Sequence, residues 1–457
     1  MISSHPTDVI LHAFDWPYSL IAERAETIEQ AGYKAVLVSP PMKSYQHPSG
    51  TPWWQRYQPQ DYRVIDNQLG DTQDFIRMVD ALRARDLWVY ADVVFNHMAN
   101  ESKQRLDLQY PSDADMAAYR QRPDYYQKQC LFGDLSQPLF EEDDFVEAFG
   151  INDWKDKWQV QNGRITGGPH DQGLPTLRDN DHVVAQQQNY LVALKKLGVK
   201  GFRIDAAKHM TIAHLKKVWT DAIAHDVHIF GEIITDGGAT KEEYQLFLQP
   251  YLAETRLGAY DFPLFQTLFN ALQPSGSLKG LIDPYCFGDA LSKERAITFA
   301  ITHDIPNNDV FANLVMSPER EALAYSYVLG RDGGVPLIYT DLDPSGIRNA
   351  QGEPRWQQSW HEAHMVARIA FHNRMHGLPM VNLEANDDLL VFSRGEQGVV
   401  IINKSSRSQT VELNWPQALT DVLSDDVFAS NGTHVQIDTA PMTSRMLWVA
   451  PDAQTKK

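Results

Sequence analysis

Apolar residues along this chain follow two alternating rhythms. From residue 8 to about 376, short unbroken apolar runs are separated by longer stretches in which apolar residues recur every three or four positions. The runs are Val9–Phe14, Ala35–Pro40, Leu87–Val94, Gly201–Asp205, Val227–Glu232, Ala259–Phe262, Ile297–Asp304 and Val335–Asp341. The helical stretches include Ala22–Ala31, Thr72–Arg85, Val183–Leu197, Ile212–His225 and Arg320–Leu329. Runs that are continuous rather than alternating describe strands covered on both faces, as in a parallel sheet flanked by helices. Eight such units predict a closed (β/α)8 barrel, of which the sixth strand, around Tyr260-Asp261-Phe262, is the shortest. A doubly wound open sheet is the competing fold, but no glycine-rich dinucleotide loop follows the first run.

Two regions break the rhythm. About ninety residues separate Asp92 from Val183; they are rich in Asp, Gln, Tyr and Gly and show little sustained periodicity. Connections of that length are usually functional or carry a small fold of their own, so residues 98–180 are read as an inserted domain. After residue 378 short alternating runs appear (Leu389–Ser393, Gly398–Ile402, Thr410–Leu413, Val435–Ile437 and Ser444–Val449), which predict an antiparallel β-sandwich domain. The expected division is 1–97 and 181–377 for the barrel, 98–180 for the insertion and 378–457 for the C-terminal domain.

Composition narrows the function by exclusion. A formal net charge of −18 leaves no basic surplus for nucleic acid. No run has the length of a membrane-spanning helix. The N-terminus lacks a basic and then apolar leader, which points to a cytoplasmic protein, or to a secreted one numbered after its signal. Cys130 and Cys286 are too few for a disulfide framework, and whether they pair is left open. Eleven Trp and eighteen Tyr suit a chain that stacks rings on flat sugar faces, although core packing uses such residues equally.

In a parallel barrel the active site lies at the C-terminal ends of the strands. The third run leads to Asp92-Val-Val-Phe-Asn96-His97, and the fourth gives Arg203-Ile-Asp205-Ala-Ala-Lys208-His209. The fifth gives Gly231-Glu232, and the seventh Thr302-His303-Asp304. Any one of these acids could be a structural anchor. Four clusters in barrel order send acids, imidazoles and one Arg into one mouth, which is what glycoside hydrolysis needs: two carboxyl groups flanking the scissile bond. Arg203 and Asp205, two residues apart on a strand, share a face, so the guanidinium is expected to hold Asp205 ionised. That makes Asp205 the nucleophile and leaves Glu232, kept protonated, as general acid/base.

These clusters resemble the conserved regions of the α-amylase family of glycoside hydrolases (family 13 type), over nearly the whole chain. The resemblance implies that Asp205 is the nucleophile, Glu232 the acid/base and Asp304 the transition-state stabiliser. It implies that His97 and His303 bond the sugar in the cleavage subsite, that Arg203 supports the nucleophile, and that Lys208 and His209 contact the sugar on the leaving-group side. Trp53-Trp54-Gln55-Arg56-Tyr57-Gln58-Pro59 resembles a segment of animal-type α-amylases, with Tyr57 as stacking platform, Trp53 and Trp54 lining the cleft, and Gln58 beside them at the substrate.

Family members commonly bind calcium through residues matching Asn96, the His209 carbonyl and an Asp of the inserted domain. Here Leu174-Pro175-Thr176-Leu177 puts an uncharged Thr where that Asp belongs, while Ca²⁺ favours carboxylates among six to eight oxygens. Asp179 or Asp181 could substitute; calcium at Asn96 and His209 is the weaker reading. Thr302 stands where animal-type enzymes carry an Asn that helps bind chloride, so chloride dependence is not expected. No cofactor is needed for the chemistry. The expected activity is retaining, endo-acting hydrolysis of internal α-1,4-glucosidic bonds in starch, glycogen or maltooligosaccharides by a monomer. The alternatives are an exo-acting oligosaccharide former, a transglycosylase or an α-glucosidase of the same family, and a non-catalytic carbohydrate-binding barrel.

Overall fold

The computed structural model describes residues 8–48, 50–342 and 344–449; the outer ends of the first and last predicted segments, 1–7 and 450–457, lie outside the described residues. Eight parallel strands close into a barrel: β1 (Ile10–Ala13), β2 (Ala35–Val38), β3 (Trp88–Val93), β4 (Val199–Ile204), β5 (His228–Gly231), β6 (Gly258–Tyr260), β7 (Ala296–Thr298) and β8 (Val335–Thr340). Each strand pairs with its neighbours in sequence, and β1 closes the ring on β8 through Ile10 opposite Leu337. Helices outside cover the strands, so β1, β2 and β8 are buried at every residue, as their unbroken apolar runs require.

Local chemistry sets the element ends. The helix Thr72–Arg83 starts from a capping box made by Asp71 and Asp74. The helix Asp181–Leu197 is capped by Asn180 and stopped by Gly198 at φ 113°, a left-handed turn that releases the chain into β4. Gly201 in β4 lies flat against the Tyr90 ring, where an added Cβ would come within 2.3 Å of a ring carbon.

Two elements differ from the pattern. The helix expected over 212–225 is two pieces, Ile212–Val218 and Asp221–Ala224, because Thr220 leaves helical geometry and caps the second with its own hydroxyl. The seventh strand stops at Thr298. His303 and Asp304 therefore sit not on a strand but at the start of a short helix, Asp304–Asn307.

The long connection after β3 holds three short helices, Asp113–Gln121, Pro123–Gln129 and Lys157–Asn162. Its far end is stitched to its beginning: Leu177 N–H bonds to the Asn96 carbonyl at 2.9 Å and Met98 N–H to the Pro175 carbonyl at 3.0 Å. Beyond the helix Ala363–Met375 come β9 (Met380–Ala385), β10 (Leu389–Arg394), β11 (Gly398–Asn403), β12 (Gln409–Asn414), β13 (Leu419–Asp421), β14 (Val427–Phe428), β15 (His434–Thr439) and β16 (Thr443–Val449). They form an antiparallel sheet in the order β9-β10-β11-β16-β13-β14, with β12 and β15 as a separate ribbon. Leu389, Val391, Val399, Ile401 and Leu447 pack under that ribbon against Val411, Leu413, Val435 and Ile437. From the opposite face Leu390, Phe392, Val400, Ile402 and Met446 join the core of the barrel.

Candidate active site

The mouth of the barrel is organised by one side chain. Asp92 on β3 and Arg203 on β4 are register partners, and Arg203 is wholly buried. Its Nη1 donates to both carboxyl oxygens of Asp92, at 2.8 and 2.7 Å, and to Asp205 Oδ1 at 2.9 Å. Its Nη2 donates to Glu232 Oε1 and lies 4.0 Å from Asp304 Oδ2. Glu232 Oε2 also accepts the Ala206 N–H at 3.0 Å, a bond aimed by the left-handed conformation of Ala206 at φ 47°. The predicted trio is thus brought together around the guanidinium, with one ligand atom each of Glu232, Asp304 and His303 within 4.8 Å of the others.

Four buried carboxyls around one cation cannot all be charged. Burial pushes Glu232 up to about 7; Arg203 opposes that push and the neighbouring Asp304 adds to it. Burial likewise lifts Asp92 to about 6 against Arg203, and raises Asp304. Asp205 too is moved well up by burial, more than Arg203 offsets. Arg203 opposes that rise and so favours the ionised form of Asp205, as the shared face leads one to expect. The shared face is real, but the guanidinium is divided among three direct carboxyl partners, and Asp92 takes both oxygens' worth of it. Asp92 is the one member of this network that a reading of the four clusters leaves without a role; its register opposite Arg203 is the signal that marks it.

The predicted sugar-binding residues separate into groups. Tyr57, 8% exposed, donates its hydroxyl to Asp92 Oδ2 at 2.9 Å. The Tyr57 ring stacks on His303 at 5.4 Å and 12°, and His303 stacks in turn on Phe14 at 4.5 Å. Trp53 meets both Tyr57 and His303 edge to face. Burial drives His303 down to about 3, so its ring is neutral, and Nδ1 is buried without a protein partner. His97 is also neutral, brought down to about 4 by burial, and both its nitrogens are engaged: Nε2 with the Tyr57 carbonyl at 3.0 Å, Nδ1 with Asn96 Nδ2 at 3.3 Å. In this arrangement His97 braces the stacking platform. Gln58 turns to the inserted domain, its amide oxygen accepting the Asn100 N–H at 3.0 Å. Trp54 is 41% exposed on the rim and stacks on Tyr45, which the sequence pattern does not single out.

Lys208 and His209 lie on the opposite rim. Lys208 Nζ pairs with Glu243 Oε1 at 3.0 Å, and His209 Nδ1 bonds to the Val160 carbonyl at 2.9 Å, tying the barrel to the helix Lys157–Asn162. Cys130 and Cys286 are both free thiols.

Carboxyl groups clustered at the C-terminal mouth of an eight-stranded barrel, with aromatic rings beside them, are the equipment of a glycosidase. Residues 19–253 match the family model "Alpha amylase, catalytic domain". The chain is 48% identical over 423 residues to an α-amylase of Aeromonas hydrophila, covering 91% of this chain and 90% of that one. It is 28% identical to an α-amylase of Thermomonospora curvata, over 94% of this chain and 68% of that one. Among solved structures, α-amylase I of Eisenia fetida superposes with a TM-score of 0.79 over 98% of both chains at 20% identity, a likeness of fold. The chain therefore belongs to the α-amylase family and is a glycoside hydrolase.

Proposed function

We propose that the protein is a retaining, endo-acting α-amylase that cleaves internal α-1,4-glucosidic bonds of starch, glycogen or maltooligosaccharides. The observation that carries this reading is the attachment of Asp205 and Glu232 to adjacent nitrogens of one guanidinium. Two carboxyls so held stand side by side. A pair sharing one guanidinium is in keeping with retention, which calls for carboxyls about 5–5.5 Å apart rather than the wider gap that admits a water. Glu232, protonated up to about pH 7, gives its proton to the leaving oxygen while the Asp205 carboxylate attacks the anomeric carbon. Water then attacks the same carbon, its proton returns to Glu232, and Asp205 leaves, so that two inversions restore the α configuration. Asp304 Oδ2, buried without a protein hydrogen-bond partner, is an acceptor open to the sugar as charge develops. Exposed tryptophans on both rims, Trp54 and Trp154, support a cleft that a long chain can cross.

The donor set does not fit calcium. Thr176, where the acidic ligand is expected, donates its hydroxyl to the Gly163 carbonyl at 2.9 Å, Asp179 pairs with Lys217 at 3.3 Å, and Asp181 is exposed in the first turn of its helix. That leaves no carboxylate committed to the position, and the reaction is read as independent of the ion. Chloride dependence is likewise not expected, because Thr302 stands where the resemblance places a chloride-binding Asn.

Asp205→Asn tests the assignment. It should keep the far-UV and thermal profile of the wild type and lose starch hydrolysis by about a thousandfold or more. Activity within a few-fold of wild type would remove Asp205 from the chemistry. In the wild type, proton NMR of the first product should show the α anomer, and iodine staining of soluble starch should fall before small sugars accumulate. A β anomer contradicts retention, and one dominant small product from the start contradicts endo attack.

A further inference from the structure

We propose that Asn307 and Tyr339 are positioning residues that hold Asp304 where the reaction needs it. The inference rests on the amylase reading above, in which Asp304 faces the sugar as charge develops. Asp205 and Glu232 each follow directly on a barrel strand, β4 ending at Ile204 and β5 at Gly231, so the sheet fixes them. Asp304 is placed differently. β7 ends six residues earlier, at Thr298, and Asp304 opens a helix of four residues, Asp304–Asn307. One turn of helix is unstable alone, so contacts outside it must fix the acid at its start.

Asn307 supplies the fastening. Its side-chain amide has two protons, and both are used: Nδ2 donates to the His303 carbonyl at 2.7 Å and to Tyr339 Oη at 3.2 Å. The first bond clamps the end of the turn to the residue just before Asp304. The second ties the turn to β8, the strand that borders β7 in the barrel. Tyr339 is fully buried, and its hydroxyl proton goes to Asp341 Oδ2 at 2.6 Å, which leaves an oxygen lone pair for the amide. Its ring meets Trp356 edge to face at 5.8 Å and lies tilted on Phe14 at 5.9 Å, while Phe14 stacks on His303. Both ends of the turn therefore bear on one aromatic pack. Buried as it is, Tyr339 cannot reach a sugar, and it acts through Asn307 and the turn.

The same geometry says which substitutions matter. Asn307→Asp keeps the shape of the side chain but sets a carboxylate oxygen against the His303 carbonyl, where two acceptors repel. Tyr339→Phe keeps the ring and its packing and removes only the hydroxyl.

Both variants are compared with wild type on maltoheptaose and by calorimetric titration with acarbose, whose flattened ring resembles the transition-state sugar. Asn307→Asp should lower kcat about a hundredfold with KM within about twofold, because a displaced acid is felt in the transition state. Tyr339→Phe, which loses one hydrogen bond, should lower kcat about fivefold. The acarbose dissociation constant should rise in step with the loss of kcat, while one site per molecule still binds. In an Asp304→Asn background, Asn307→Asp should cost less than about threefold more, because the group it acts through is already gone. Should Asn307→Asp fail to fold, Tyr339→Phe carries the same comparison. A merely structural role would cut the number of binding sites at unchanged affinity, and that result overturns the proposal. So would a loss confined to KM, an unchanged kcat, or full additivity with Asp304→Asn, all of which leave the amylase reading standing. A wild type inert on maltoheptaose overturns that reading, and the proposal with it.

Discussion

The two walls of the cleft are built on opposite plans. On one side Phe14, His303 and Tyr57 stack upon one another over the Arg203 network, Trp53 meets them edge to face, and Asp92, Arg203, Asp205 and Glu232 are buried. On the other, Trp154, Lys208 and His209 sit where an inserted loop meets the segment after β5, tied by the ion pairs Lys155–Glu242 and Lys208–Glu243. The first wall draws its residues from strand ends and the turns that leave them, whose positions the barrel dictates. The second draws much of its surface from loops, whose sequence can change without disturbing a carboxyl. Asp92, Asp205 and Glu232 all belong to the first wall, around Arg203.

The comparison breaks most severely at its centre. Arg203→Met would leave Asp92, Asp205 and Glu232 without their common cation, and stability should fall by about 3–5 kcal/mol with kcat reduced at least about a thousandfold. Urea unfolding and steady-state rates measure both, and an unchanged unfolding midpoint would show that the network does not hold the inner wall together.

A smaller effect comes from pH. Glu232 and Asp92 carry pKa values of about 7 and about 6, above the ordinary carboxylate range, so the folded protein keeps protons that the unfolded chain has released. Their contribution to stability is complete below about pH 4 and is lost as pH rises through 6 to 7. Buried neutral histidines such as His97 and His303 titrate with the opposite sign over the same range, so the test is catalytic: kcat/KM should decline on an alkaline limb near pH 7. A limb above pH 9 would remove Glu232 as the proton donor.

The smallest effect is expected on the outer wall. There the inserted domain is held by hydrogen bonds such as Leu177 N–H to the Asn96 carbonyl and by Thr176 to Gly163. Dialysis against EDTA should shift the melting temperature by less than about 2 °C and leave starch hydrolysis unchanged. A larger fall would mean that a bound cation, rather than these bonds, secures that wall.

Most of the inner wall was legible in the sequence, because strand periodicity forces Arg203 and Asp205 to one face and places Asp205 and Glu232 at strand exits. Two things escaped it. The share of Arg203 taken by Asp92 depends on the register between β3 and β4, which no single strand records. Gln58 sits inside a sugar-binding pattern yet spends its side chain on the Asn100 backbone. On the outer wall Trp154 gave no signal at all, since a lone aromatic in an aperiodic loop looks like any other until a fold sets it against His209.

The C-terminal sheet has a consequence for how such chains can be rearranged. Leu390, Phe392, Val400, Ile402 and Met446 belong to the barrel's own core, while the opposite face of the same strands closes under the ribbon of β12 and β15. The sheet is therefore a wall shared between two rooms rather than an annex. Recombination that exchanged the end of this chain for another module at about residue 378 would find no clean seam there. It would have to rebuild an apolar surface as well as join two ends.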